Sequence, residues 1–298
     1  MANVFSTASY SATVDSTNLA SVTWTATLNG IAQAGFAAIP ANAGVYPTLE
    51  FFRGGLATTD SALSDELAQA LENLSNLMVT RGTKVDRRLF IMAPDYPQGN
   101  GSITGGTAGG GTDEFGGADL ESCAVCFGTL SEFGKVNNRQ RAVMGTSRGG
   151  MQALRYLKEY RNNPKCVVLW NPYINVKDWD NVAAQTQTDI GAMIPDFRPA
   201  PVPTSAKDLS RAEVDALVDR SPVEWVEDLP RVPYLILHGD NDTTSPRAWI
   251  DALVERMDDA GHDVELGIIA DGGHVFANEA LTAALNRTAD FLGEHLAA

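Results

Sequence analysis

The chain has 298 residues, 22 Lys and Arg against 37 Asp and Glu for a formal net charge of −15, and 44% of it is hydrophobic. That length fits one large α/β domain or two small ones with a substantial core, and the composition excludes a disordered or fibrous chain. The acidity excludes nucleic acid and anionic lipid as partners, because binding phosphates takes a basic stripe and the sequence has none, so a small molecule is the expected partner.

Three cysteines do not make a disulfide framework. Cys123 and Cys126 read as small buried residues of a helix, since no second C-x-x-C pair follows and no histidine lies near them. No metal and no cofactor is expected. The N-terminus lacks the basic region and apolar core of a signal peptide, and no apolar run reaches the ~18 residues that span a bilayer. The expectation is a cytoplasmic protein without a membrane segment.

In chain order, residues 1–45 read as an N-terminal edge region. Val22, Trp24, Ala26 and Leu28 alternate as in a half-buried strand, which predicts one or two antiparallel strands within residues 1–30. Thr48 to Phe52 is a short buried strand ended by Arg53-Gly54-Gly55. Leu63, Leu67, Leu71, Leu74 and Met78 recur at helical spacing within 61–81, and Leu89 to Ala93 is the next strand. Residues 118–130 read as a helix, 140–144 as a strand, 149–160 as a helix and 166–170 as a strand. Residues 234–237, 246–260, 264–269 and 278–296 repeat strand, helix, strand, helix. Short apolar strands alternating with amphipathic helices predict one α/β domain over 1–298, with a mainly parallel sheet covered on both faces.

Two stretches interrupt this rhythm. Residues 98–117 are too rich in glycine for a regular element and are expected as a flexible loop; they contain no phosphate-cradling motif. Residues 171–228 lie between two sheet strands, with prolines at 195, 199, 201 and 203 and a capping-box pattern at Ser210 and Glu213. This insertion is the candidate for a small lid.

Gly145-Thr146-Ser147-Arg148-Gly149 matches G-x-S-x-G, and its context is a buried strand before and a helix after, which is the strand-turn-helix elbow that exposes a nucleophilic serine. A serine hydroxyl attacks only when a base takes its proton. Of the four histidines, His262 and His295 lie in helix-end and helical positions expected to be solvated, and His238 ends a strand, where a structural role is expected. His274 follows Gly272-Gly273 in the loop after the last strand, where a base can approach the elbow. Asp240 and Asp242 both lie in the loop after the preceding strand, and either could orient that histidine. The order Ser147, Asp, His274 is that of α/β-hydrolases. The oxyanion hole is expected from the Arg148 backbone N–H and from Gly54, Gly55 or the Arg53 guanidinium. Arg53, Trp170, Asn171 and Tyr173, at strand ends, and Arg148, beside the nucleophile, are candidate substrate contacts.

With these positions in hand, the chain resembles the catalytic domain of the prolyl oligopeptidase family of serine hydrolases, in a stand-alone form over residues 45–290. The segments that carry the resemblance are Phe52-Arg53-Gly54-Gly55, Asp113 to Asp119, Gly145 to Met151, Arg220-Ser221-Pro222-Val223 and His238-Gly239-Asp240-Asn241-Asp242. The resemblance implies the α/β-hydrolase fold and selects Asp242 over Asp240 as the acid, with His274 as the base. Family members that cleave oligopeptides place a tyrosine before the paired glycines, where this chain has Arg53, and larger relatives carry a propeller that residues 1–45 are too few to form. Those departures favour a carboxylic ester hydrolase working through an acyl-enzyme. An aminopeptidase or small oligopeptidase is the alternative, and a non-catalytic binding protein on the same fold a distant one. The expected partner is an ester or short peptide, its size limited by the insertion, the glycine-rich loop or a second subunit of a homo-oligomer.

Overall fold

The computed structural model describes residues 5–14, 19–28, 31–40, 43–55, 62–81, 88–94, 96, 114–128, 134–160, 163–198 and 201–296. Most of the glycine-rich loop, and Asp113 with it, lies outside them. Among the described residues one nine-stranded sheet runs in the order β1-β2-β3-β5-β4-β6-β7-β8-β9. Its strands are β1 (Phe5–Val14), β2 (Leu19–Leu28), β3 (Ile31–Pro40), β4 (Tyr46–Phe52), β5 (Phe90–Pro94), β6 (Val136–Thr146), β7 (Cys166–Trp170), β8 (Tyr234–Gly239) and β9 (Val264–Ile269). Strands β1 to β3 pair antiparallel and β3 pairs antiparallel with β5, while every pairing among β4 to β9 is parallel.

Residues 1–30 hold the two antiparallel strands β1 and β2, within the expectation, and a third, β3, follows them where none was expected. The extra one, β3, contains Ala32, Ala34, Gly35, Ala37 and Ala38, residues of low strand preference that give no period-two signal. Pairing on both flanks, with β2 and with β5, makes it a strand regardless. Similarly, β6 begins before the expected Gln140, because its first half is polar and partly exposed.

Parallel strands need helical crossovers, and these cover both faces. On one face α1 (Ala62–Arg81) and α7 (Asn278–His295) lie against each other, and Leu71, Leu74, Met78, Ala284, Leu285 and Leu292 cover Leu49, Phe51, Met144, Val168 and Leu237 of the sheet. The other face carries α2 (Ala118–Gly128), α3 (Arg148–Tyr160) and α6 (Arg247–Asp259), whose Phe127, Leu154 and Leu253 share a core with Phe52, Val143 and Ile236. Phe52, Phe127 and Tyr156 meet with ring centroids 5.1 to 5.6 Å apart. Cys123, Cys126 and Cys166 are buried free thiols, as a packing role requires.

The stretch 171–228 contains α4 (Ala184–Met193) and α5 (Arg211–Asp219), the latter opened by the expected capping box of Ser210 and Glu213. It is anchored in the domain along its described length. Trp179, Ile190, Leu217 and Trp225 belong to the core that α3 also fills. Arg155 pairs with Asp219 at 2.5 Å, the Lys158 ammonium lies 4.4 Å over the Trp225 ring, and Arg220 donates to the Glu114 and Phe115 carbonyls.

Candidate active site

The register of the parallel strands decides which residues meet. Phe52 lies beside Gly145, Thr146 beside Trp170, Trp170 beside Leu237, and Gly239 beside Ile269. The carboxyl ends of β4, β6, β7, β8 and β9 thus open on one rim, which receives residues 53–55, 147, 171, 240–242 and 271–274. In open α/β sheets this rim is where ligands bind.

Ser147 sits between β6 and α3 with φ 51°, in the left-handed region that a serine occupies only when its surroundings hold it there. Its N–H donates to the Trp170 carbonyl at 2.9 Å, and its carbonyl accepts from the Gly150 and Tyr173 N–H groups at 2.9 and 2.8 Å. The flanking glycines are required by space. A Cβ on Gly145 would land on the Gly149 carbonyl, and one on Gly149 would land on the Phe52 and Arg53 carbonyls. The sequence pattern is thus the steric signature of β6, α3 and the end of β4 packed at contact distance.

Ser147 Oγ lies 2.7 Å from His274 Nε2, and His274 Nδ1 lies 2.8 Å from Asp242 Oδ2. A carboxylate only accepts, so Nδ1 carries the ring proton and Nε2 presents its lone pair to the Ser147 hydroxyl. Asp242 Oδ1 accepts from the Thr244 and Ser245 N–H groups at 2.8 and 3.0 Å. Burial opposes ionisation of this carboxyl, but the hydrogen bond and electrostatic influence of His274, with those two N–H groups, outweigh it and hold Asp242 below the usual carboxylate value. Asp240 is exposed, so the two carboxyls left open by the sequence are separated by geometry.

On the opposite wall the structure redistributes the expected roles. The Gly54 N–H donates to Thr146 Oγ1 at 3.0 Å and is thereby engaged, which leaves Gly55, exposed and at φ 95°, as the remaining glycine of the pair. The Arg53 guanidinium donates to the Gly54 carbonyl at 3.1 Å and stacks 4.4 Å over the Tyr96 ring, and the residue is 5% exposed. The Arg148 guanidinium stacks on the same ring at 4.5 Å and pairs with Asp119 at 3.0 Å. Tyr96 thus meets both guanidiniums, and its hydroxyl donates to the Arg53 carbonyl at 2.6 Å. Both arginines are committed to the protein interior. Arg148 keeps its place at the first position of α3, where a backbone N–H points out along the helix axis.

The other candidate contacts are also turned inward. Trp170 continues the alternation of Cys166 and Val168 into the α7 face, where its indole donates to Thr288 Oγ1 at 2.9 Å and meets Phe276 edge-on. Tyr173 is buried edge-on against Trp249. Asn171 is 1% exposed and spends its carboxamide on Gly239, Gly273 and His274 backbone groups. A strand-end position tells that a residue is near the rim but not which way its side chain turns.

The remaining histidines divide as follows. His238 is buried with Nδ1 3.9 Å from Asp242 Oδ2, and burial lowers its pKa. His262, expected in solvent, is 4% exposed, with Nε2 2.9 Å from the Val226 carbonyl and its ring edge-on to Tyr234. His295 lies half-buried against Phe291. Among the described residues no group of His, Cys, Asp and Glu is placed to hold a metal, and no helix is long and apolar enough to cross a membrane.

Comparison with known proteins bears on the family and the fold. The family model described as the prolyl oligopeptidase family matches residues 108–298. A search of curated proteins finds no match. Among solved structures, a variant of the esterase rPPE aligns with a TM-score of 0.59 at 18% identity over 96% of this chain and 86% of that one. Acetyl xylan esterase 1 of a Thermoanaerobacterium species gives 0.62 at 16% identity over 96% and 87%. The acylaminoacyl peptidase of Pyrococcus horikoshii gives 0.64 at 13% identity over 93% of this chain but only 41% of that one. At these identities the likeness is one of fold, the α/β-hydrolase fold.

Proposed function

This chain belongs to the prolyl oligopeptidase family and is a serine hydrolase, and from that premise we propose that it hydrolyses carboxylic esters through an acyl-enzyme on Ser147. The observation that carries the reading is the continuous hydrogen-bonded path from Ser147 Oγ through His274 to Asp242, at 2.7 and 2.8 Å.

In the proposed reaction Ser147 Oγ attacks the ester carbonyl while His274 Nε2 takes its proton, and the imidazolium is stabilised by the buried Asp242 carboxylate. The oxyanion that develops is met by the Arg148 backbone N–H at the start of α3 and by the Gly55 N–H, each contributing ~3 kcal/mol in the transition state. His274 then returns the proton to the departing alkoxide. Water, deprotonated by the same Nε2, attacks the acyl group, and the proton passes to Ser147 Oγ as the acid leaves.

Two features support ester over amide chemistry. Arg53 stands where oligopeptide-cleaving relatives place a tyrosine, and its guanidinium is held by Tyr96 and the Gly54 carbonyl, so that extra donor is missing. In addition, the esterases among the structural neighbours are covered over nearly their whole length, whereas the acylaminoacyl peptidase and a puromycin hydrolase are covered by less than half. The test is a panel of p-nitrophenyl acyl esters, aminoacyl p-nitroanilides and short peptides, with Ser147→Ala as the control. The reading expects ester turnover in the wild type, none in Ser147→Ala, and labelling of Ser147 by a fluorophosphonate. A preference for aminoacyl amides would select the peptidase alternative, and unlabelled, correctly folded protein would remove both.

A further inference from the structure

His274 is carried by a loop, yet its ring must meet Ser147 on one side and Asp242 on the other within hydrogen-bond tolerance. What fixes that loop is a third strand end. Asn171, the first residue after β7, donates from Nδ2 to the Gly273 carbonyl at 3.1 Å and to the His274 carbonyl at 2.9 Å. Its Oδ1 accepts from the Gly239 N–H at 2.8 Å, at the root of the loop that carries Asp242. The next carbonyl along, Gly272, accepts from the Asn241 N–H at 2.9 Å, so three successive carbonyls of the base loop are tied down, two of them by one side chain.

We propose that Asn171 is a positioning residue for catalysis, one carboxamide that locks the loops of the base and the acid to each other; this rests on the reading of His274 and Asp242 given above. The residue type follows from the chemistry. The network fixes which end of the amide faces which loop, since a flip would set N–H against N–H and oxygen against two carbonyls. Aspartate could not donate to both carbonyls and glutamine is one methylene too long. The backbone adds a second requirement: Asn171 has φ 42°, where asparagine is among the few tolerated side chains, and its N–H is used by the Leu237 carbonyl at 2.8 Å. At 1% exposure water does not compete for these bonds.

The test compares Asn171→Asp and Asn171→Gly in the full chain, the glycine variant removing the clamp while accepting the backbone angle. Both are read by kcat and KM on p-nitrophenyl acetate, by circular dichroism, and again in a His274→Ala background. With CD unchanged, kcat should fall about 10²-fold with KM nearly constant, the cost of a base displaced by ~1 Å. In the His274→Ala background the same change should cost about 2-fold or less, because a residue that acts through the base has nothing left to position. An unchanged kcat, a rise in KM alone, or an equal loss in both backgrounds would overturn the proposal. Wild-type kcat in His274→Ala itself would instead remove the assignment of the base.

Discussion

The Arg148 guanidinium turns away from Ser147, the proposed nucleophile that precedes it in the chain, and pairs with Asp119 at 3.0 Å, with both side chains at 2% exposure or less. Asp119 also accepts from the Gly116 N–H and from Gln152, so one buried carboxylate holds the start of α3 to the turn before α2. Replacing it strands a buried cation. Asp119→Ala should therefore cost about 3–5 kcal/mol in urea unfolding. Arg148→Met, by contrast, should leave the ratio of KM values for anionic and neutral esters unchanged, because that guanidinium does not reach the rim.

Ser147 holds a strained backbone conformation at the turn into α3. Alanine at this position keeps the strain and glycine releases it, so both Ser147→Ala and Ser147→Gly should be inactive, with the glycine variant about 1 kcal/mol more stable than the alanine one. Paired thermal melts check this, and equal stabilities would show that the turn is not strained.

Two buried histidines set an acid limit on stability. Burial lowers the pKa of His238 and of His262 from 6.5, so the folded protein holds both neutral while the unfolded chain takes up protons more readily. Their contribution is full above about pH 6.5 and is lost as pH falls through their folded values. His262→Gln keeps a donor for the Val226 carbonyl and cannot titrate, so its Tm should fall less than that of the wild type between pH 7 and pH 5.

Glu50 works in the opposite direction. Burial pushes its carboxyl from 4.5 up to about 7, against the lowering influence of Arg141, 3.2 Å away, and of a hydrogen bond with Tyr156. The folded state therefore holds this proton more tightly, and the associated stability is present below 4.5 and lost as pH rises through about 7. Relative to wild type, Glu50→Gln should gain on the order of 2 kcal/mol between pH 5 and pH 8. A pH-independent difference would mean that Glu50 is ionised throughout.

The elbow was legible in the sequence because Gly145 and Gly149 are imposed by backbone contact, and steric necessity leaves a residue-type signature. Chain order likewise sufficed to bring His274 and the 240–242 loop to Ser147, since each follows a strand whose end reaches the same rim. Side-chain direction was not legible. Arg53, Arg148, Trp170, Asn171 and Tyr173 are all near the rim and all turn into the protein, for reasons that reside in partners far along the chain: Tyr96, Asp119, Thr288, Gly239 and Trp249. Strand β3 was missed for a related reason, because its alanines form a strand only through neighbours on both sides.

The packing of α1 against α7 gives synthesis a direction. Residues 62–81 are made well ahead of residues 278–295, the helix that packs against their apolar face. Until α7 follows, the part of that face that meets it has no native cover, and an exposed helix face beside unpaired strands is where nascent chains self-associate. The base of the proposed reaction, His274, and the helix that closes this layer are therefore made one directly after the other. A chain cut before residue 274 would, on the proposed reading, be at once inert and prone to self-association.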